Sequence, residues 1–250
     1  MLRKNKNLIK NWITSLNLHS FFICLLHFPS YFLDWRRFVA QGGKASFLDS
    51  YPCLGDKTSQ TSFDPHYFYQ AAWLSRQLAS SKPYNHVDIG SDIKAISVLS
   101  AFVPVEFLDF RPLNVNISGL RCLGDDLLNL SRTSRSISSL SCMHVIEHVG
   151  LGRYGDPITP TGSLQAAKEL ERVISPGGRL YISVPVGEEK VCFNAHRIFD
   201  PVKFIEMFPE LDLESFSFVD DLGNYFEKAE PLDAADKSYA CGMYVFVRKS

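Results

Sequence analysis

The chain has 250 residues, 46% hydrophobic and 21% charged, an ordinary globular balance that excludes disorder over most of the length. Its 26 basic and 27 acidic side chains leave a formal net charge of −1, so nothing favours a phosphate backbone and nucleic acid is excluded as an expected partner. The six cysteines lie far apart without a C-x-x-C pair, which suits neither a zinc knuckle nor a disulfide scaffold and predicts reduced thiols in a cytoplasmic protein.

The opening stretch, MLRKNKNLIKNWITSLNLHSFFICLLHFPSYFL, has a basic front and an apolar patch. Its uninterrupted run from Phe21 to Leu26 is bounded by His19 and His27 and followed by Pro29. That run is too short to cross a bilayer, which takes about 20 apolar residues, and no small-residue cleavage site follows it. The expectation is an amphipathic helix capping the domain, with a peripheral membrane contact through the basic residues at 3, 4, 6 and 10 as the alternative. Glycine, proline, serine and aspartate accumulate from about 41 to 65 and mark a connecting segment. The chain therefore divides into a helical extension and linker over 1–65 and a main domain over 66–250.

The main domain opens with HYFYQAAWLSRQLASS, a predicted helix whose apolar positions are Phe68, Ala71, Ala72 and Leu78. Short apolar runs follow at 86–89, 105–108, 119–123, 137–143 and 179–184, and their alternation with helical or looped segments implies a parallel sheet. The clearest helix is SLQAAKELERVI at 163–174, with Ser163 as its cap and SPGG as its stop. LESFSFV and SYACGMYVFVRK come last, with no strong helix between them, which predicts antiparallel pairing. The fold class read from this order is α/β: a Rossmann-like open twisted sheet, mostly parallel, with an antiparallel C-terminal strand.

Ligands of such sheets bind beyond the carboxyl ends of the strands, at the switch point of strand order. Four loops fall there. The first holds Asp88, Gly90, Ser91 and Asp92; the second ends at Asp109 and Phe110; the third is the Gly-Asp-Asp at 124–126; the fourth is HVIEHVG at 144–150. Asp109 stands 21 residues after Asp88, close to the spacing of about 20 at which an acidic residue accepts ribose hydroxyls. Ser91, Asp92 and Ala95 occupy positions where a pyrophosphate-binding loop carries glycine, and Asp92 would repel a phosphate. A phosphate-free, cationic nucleoside such as S-adenosylmethionine meets no such objection.

The ordered motifs HVDIG, LDF, GDD, HVIEHVG and ELERVISPGGRLYISVP resemble those of class I S-adenosylmethionine-dependent methyltransferases, notably the type 11 group. The fuller text, including FNAHRIFDP and YACGMYVF, looks like an uncharacterised bacterial family known only as a domain of unknown function, over about residue 50 to the end. The resemblance implies a methyltransferase that uses S-adenosylmethionine on a small-molecule or glycan acceptor. Asp88, Gly90 and Ser91 would then shape the methionine pocket, Asp109 would hold the ribose with Phe110 as an apolar wall, and Asp125 and Asp126 would meet the adenine. His144, His148 and His196 are the candidate bases, with Glu147 orienting them. The loop GRYGDPITPTG at 152–162 reads as a lid bearing Arg153 and Tyr154, or as a plain connection.

Two other readings stand beside this one. A scaffold or binding module could keep the sheet and lose the pocket, given Ser91 and Asp92 in place of glycines. HVIEH also fits H-x-x-E-H, the inverted zinc-protease motif, but that chemistry needs a continuous helix, and Gly150 and Gly152 follow too soon for a long one. Metal-dependent type 11 relatives suggest a divalent ion on Glu147 and His148, yet His144 stands where they place another acidic ligand. No metal is therefore assigned.

Overall fold

A computed structural model describes residues 18–249, with side chains from Leu25 onward. Two compact units divide between Phe63 and Asp64. In the first, helix α1 (Leu18–Ala40) runs through Pro29, and an aromatic cluster of Phe32, Trp35 and Phe47 forms as the Trp35 indole donates to the Ala45 carbonyl at 3.2 Å. Among the described residues no helix is long and apolar enough to cross a membrane. The basic residues at 3, 4, 6 and 10, on which the membrane alternative rests, lie outside the described residues.

The second unit opens with helix α2 (Pro65–Ser81). Asp64 caps it by accepting from the His66 and Tyr67 amides, and Pro65 takes the first helical position, where its missing N–H costs nothing. Its buried stripe is Gln70, Trp73, Leu74 and Leu78. The apolar face expected from Phe68, Ala71 and Ala72 is rotated: Phe68 is exposed, and Gln70 turns inward because its carbonyl accepts from the Ser183 hydroxyl at 2.7 Å.

The sheet then follows as β1 (His86–Ile89), β2 (Val105–Asp109), β3 (Leu120–Gly124), β4 (Ile137–Met143) and β5 (Ile174–Val186), all parallel. Helix α3 (Ile93–Leu99) links β1 to β2, and helix α4 (Gly162–Val173) precedes β5. A small hairpin of β6 (Lys190–Cys192) and β7 (His196–Ile198) leads to β8 (Leu211–Val219), β9 (Tyr225–Phe226) and β10 (Ala240–Arg248). The spatial order is β3-β2-β1-β4-β5-β10-β8-β9, with β10 antiparallel to both β5 and β8. Strand alternation sends Leu180, Ile182 and Val184 into one core and Tyr181 into the other. α4 covers the first face through Ala166, Ala167, Leu170 and Val173, while α2 and α3 cover the second through Trp73, Leu74, Ile96 and Leu99. Burial on both faces explains why the strands read as apolar runs rather than as alternating ones.

Two details of α4 differ from the sequence reading. Thr161, not Ser163, is its N-cap residue, because the Ser163 hydroxyl donates to the Ile146 carbonyl at 2.6 Å. SPGG ends no helix in a loop: α4 stops at Val173, and the four residues form a bulge in β5, whose pairing with β4 jumps from Ile137↔Ile174 to Ser139↔Arg179. The β3–β4 connection runs without a helix and is braced instead by α4: Glu169 accepts from the Leu130 amide, and Arg172 donates to the Leu130 and Arg132 carbonyls.

Candidate active site

The chain reverses its direction of travel across the sheet between β1 and β4, and a cleft opens there at the strand tips. Gly90, Asp109, Phe110, Arg111, Asp125, Asp126, His144, His148, Tyr154 and Asp156 line it, with Ile89, Leu108, Leu127, Leu128, Val145 and Val149 as apolar wall. Gly90 takes φ +66°, and a Cβ there would lie 3.2 Å from Val145 and 3.9 Å from the Asp109 carboxylate. Glycine therefore keeps a stretch of backbone open to the cleft beside Asp109.

Of the seven residues expected to hold the cofactor, Gly90, Asp109, Phe110, Asp125 and Asp126 line the cleft, while Asp88 and Ser91 do not. Asp88 is fully buried beneath it, accepting from the Ser91 amide at 3.1 Å, the Ser91 hydroxyl at 2.7 Å and the Ser141 hydroxyl. Ser91 in turn accepts from the Met143 amide at 3.0 Å. The pair joins β1 to β4 instead of facing a ligand. Burial pushes the Asp88 carboxyl up to about 6, against the pull of its hydrogen bonds.

Asp109 accepts from the Arg111 amide through Oδ1, which leaves Oδ2 without a hydrogen bond from the described residues. Asp125 is committed to its own loop, accepting from the Asp126 and Ser131 amides and the Ser131 hydroxyl. Asp126 uses Oδ1 for the Leu128 amide and keeps Oδ2 without such a partner. Asp92 caps α3 by accepting from the Lys94 amide at 3.0 Å. A carboxylate thus stands where a phosphate would seek the helix N-terminus, and a phosphate-bearing nucleotide fits poorly. The open Gly90 backbone, the available oxygens of Asp109 and Asp126 and the apolar wall fit S-adenosylmethionine.

HVIEHVG forms turns, not a helix, so the inverted zinc-protease geometry does not arise. His144 takes a left-handed φ of +55°, and its ring lies between two groups: Nδ1 is 3.1 Å from Glu147 Oε1, and Nε2 is 3.2 Å from Cys241 Sγ. Burial opposes an imidazolium there, but the Cys241 sulfur and the Glu147 carboxylate outweigh it and push the His144 pKa up to about 10. Burial instead lowers the pKa of His148 and of His196, so both are neutral near pH 7. His148 donates from Nδ1 to the Ala195 carbonyl at 2.6 Å, and its Nε2 is 3.6 Å from Glu147. His196 packs its ring at 4.9 Å from that of Tyr239.

The 152–162 loop reaches the cleft through Tyr154, Asp156 and Pro157. Asp156 accepts from the Gly150, Gly152 and Tyr154 amides, while Gly150 abuts Thr159 so closely that a Cβ would lie 2.2 Å from its carbonyl oxygen. Arg111, from the β2 tip, lies 4.7 Å from the Tyr154 ring centroid and links the two sides of the cleft. Sequence reasoning missed Arg111, Asp156, His66 and Cys241. It also missed Arg197, whose buried guanidinium donates to the Val149 carbonyl at 2.6 Å and to those of Thr159 and Pro160.

The fold is that of the S-adenosylmethionine-dependent methyltransferases. NodS, an N-methyltransferase from Bradyrhizobium japonicum solved with S-adenosyl-L-homocysteine, matches with a TM-score of 0.54 at 14% identity, over 78% of this chain and 93% of that one. YcgJ from Bacillus subtilis matches with a TM-score of 0.51 at 11% identity, over 73% and 99%. The [4+2]-cyclase SpnF matches with a TM-score of 0.50 at 14% identity, over 84% and 90%. At such identities the likeness shows the fold alone. A family model described as "Caenorhabditis protein of unknown function, DUF268" matches residues 127–240. That description gives no support to the bacterial family expected from the sequence. No curated protein matches the chain.

Proposed function

We propose that this chain is a cytoplasmic methyltransferase that uses S-adenosylmethionine on a small-molecule or glycan-linked acceptor. The observation that carries the reading is the pairing of Gly90 with Asp109: open backbone beside a carboxylate oxygen that no described residue satisfies, at the switch point of the sheet. S-adenosylmethionine brings a methyl group already activated on a sulfonium, which leaves alignment as the main task of the protein. Asp109 would hold the ribose hydroxyls, Phe110 and Leu108 would wall the sugar, and Asp126 with Leu127 and Leu128 would border the base. Neutral His148, which lines the cleft, is the group placed to take a proton when the acceptor carries one, whereas His196 lies outside the lining. The five described cysteines are free, in keeping with a reducing compartment.

Titration calorimetry with S-adenosylhomocysteine tests the reading. One site per chain is expected, with Asp109→Ala weakening it at least about ten-fold through loss of its hydrogen bonds, and no comparable site for NAD. A folded chain that binds neither S-adenosylmethionine nor its product overturns the cofactor assignment. A second reading, a binding module without catalysis, draws on Asp88 and Ser91, which satisfy one another instead of a ligand. It would be favoured if the chain bound the product yet transferred no labelled methyl group to any component of its native extract.

A further inference from the structure

Among the described residues one set of metal-capable side chains converges from three distant parts of the chain: His66 in the first turn of α2, His144 after β4 and Cys241 in β10. Their ligand atoms all lie within 4.8 Å of one another. A zinc ion held tetrahedrally, at about 2.0 Å from nitrogen and about 2.3 Å from sulfur, separates those two atoms by about 3.5 Å. His144 Nε2 and Cys241 Sγ are already 3.2 Å apart. His66 is only partly buried, its ring stacked on Tyr239 at 5.2 Å, and its ligand nitrogen lies within 4.8 Å of the other two ligand atoms.

A separate observation points the same way. Glu147 is fully buried and neither of its oxygens accepts a hydrogen bond from the described residues, although Oε1 lies 3.1 Å from His144 Nδ1. The distance is that of an ion pair while the alignment is not that of a hydrogen bond. A carboxylate behind the far nitrogen of a metal-binding imidazole is what fixes its tautomer and raises its basicity. With Nδ1–H turned toward Glu147, loss of the Nε2 proton to an incoming metal ion frees a lone pair directed to the space shared with Cys241 and His66.

We propose that His66, His144 and Cys241 bind a zinc ion, with Glu147 as a positioning residue behind His144 and the fourth coordination place open to water or to an acceptor atom. Two imidazoles and a thiolate select zinc over magnesium or calcium, which take oxygen ligands. Binding forms two Zn–N bonds and one Zn–S bond, and the thiol proton and any imidazolium proton displaced leave to bulk water. His144 also lines the cleft, so the ion sits at its margin. The set differs from H-x-x-E-H, since His148 is no part of it. It also stands independently of the methyltransferase reading, as its test needs neither cofactor nor turnover.

The full chain, stripped with a chelator, is titrated with Zn²⁺ against a chromophoric competitor and, separately, with Co²⁺. One ion per chain is expected, and the cobalt form should absorb through a sulfur-to-metal charge-transfer band that Cys241→Ser abolishes and Cys122→Ser leaves intact. His66→Ala should weaken zinc at least about ten-fold, and Glu147→Gln by roughly 10–100-fold while keeping the band at saturating cobalt. If Cys241→Ser fails to fold by circular dichroism, His66→Ala, on a partly exposed side chain, carries the test. A folded wild-type chain that binds no metal, a band that persists in folded Cys241→Ser, or unchanged zinc affinity in folded His66→Ala overturns the assignment.

Discussion

Asp88 and Glu147 are both fully buried carboxylates near a histidine, and they sit on the two segments that flank the switch point. Around Asp88 the polar groups are satisfied. His86 meets the Ser139 and Ser141 hydroxyls at 2.8 Å each, and Ser141 and Ser91 both donate to Asp88. Around Glu147 they are not: neither oxygen accepts a hydrogen bond from the described residues, and the neighbouring imidazoles of His144 and His148 are shared with Cys241 and Ala195. A closed network holds two strands in register, whereas an open one leaves charge available to something outside the chain. Of the two carboxylates, the one beneath the cleft belongs to the frame, and the one beside it is the candidate for a role in the site.

The largest effect should come from Arg197, which holds the Glu147 loop from below through the Val149, Thr159 and Pro160 carbonyls. Arg197→Leu leaves those acceptors without their donor and should cost about 3 kcal/mol in urea denaturation, with S-adenosylhomocysteine binding lost as the loop relaxes. Ser141→Ala breaks the closed network and should cost about 2 kcal/mol, but leave product binding within about two-fold because Ser141 does not line the cleft. If Ser141→Ala abolished binding while Arg197→Leu spared it, the division into frame and site would fail.

A third test uses pH. Burial raises the Asp88 pKa from 3.8 to about 6 and lowers that of His86 from 6.5 to about 3. Between about pH 4 and 6 the folded chain holds a proton on Asp88 that the unfolded chain has released, so this contribution to stability falls as pH rises. Over the same range the unfolded chain holds a proton on His86 that the folded chain lacks, so that contribution rises with pH. The two oppose each other in the native protein. Asp88→Asn removes only the first, and its stability relative to wild type should climb between pH 4 and 6 by up to about 1.4 kcal/mol per unit. Denaturation midpoints at several pH values read this directly; a flat difference would mean that Asp88 ionises normally.

The frame was far more legible in the sequence than the site. β1 and β4 matched their predicted bounds because strands buried on both faces write themselves as apolar runs. The bulge of β5 was missed because proline and glycine after a helix look alike whether the chain turns away or re-enters a sheet. In the sequence Asp88 looks like a ligand because strand-tip position alone cannot distinguish a carboxylate facing outward from one folded back onto a serine. His66 and Cys241 carry no local signal: Cys241 lies 97 residues from His144 in the chain, and only the pairing of β10 beside β5 brings them together. Strand order alone does not fix chemistry, since one fold hosts many activities.

The smallest expected effect concerns the contact over the cleft. Arg111 and Tyr154 both line it, and the guanidinium lies 4.7 Å from the ring centroid while Arg153 lies 5.1 Å from it on the same loop. Because both arginines are largely exposed, each such contact contributes about 0.5–1 kcal/mol, equivalent to roughly two- to five-fold in affinity. Arg111→Ala removes the link between the two sides but leaves Arg153 on Tyr154, so the loop keeps its own order while losing its partner across the cleft. Product dissociation should therefore quicken a few-fold in stopped-flow measurements, with association and thermal stability unchanged. Were Arg111→Ala instead to slow dissociation, the contact would be a barrier to closure, and the 152–162 loop would have to act on the ligand without it.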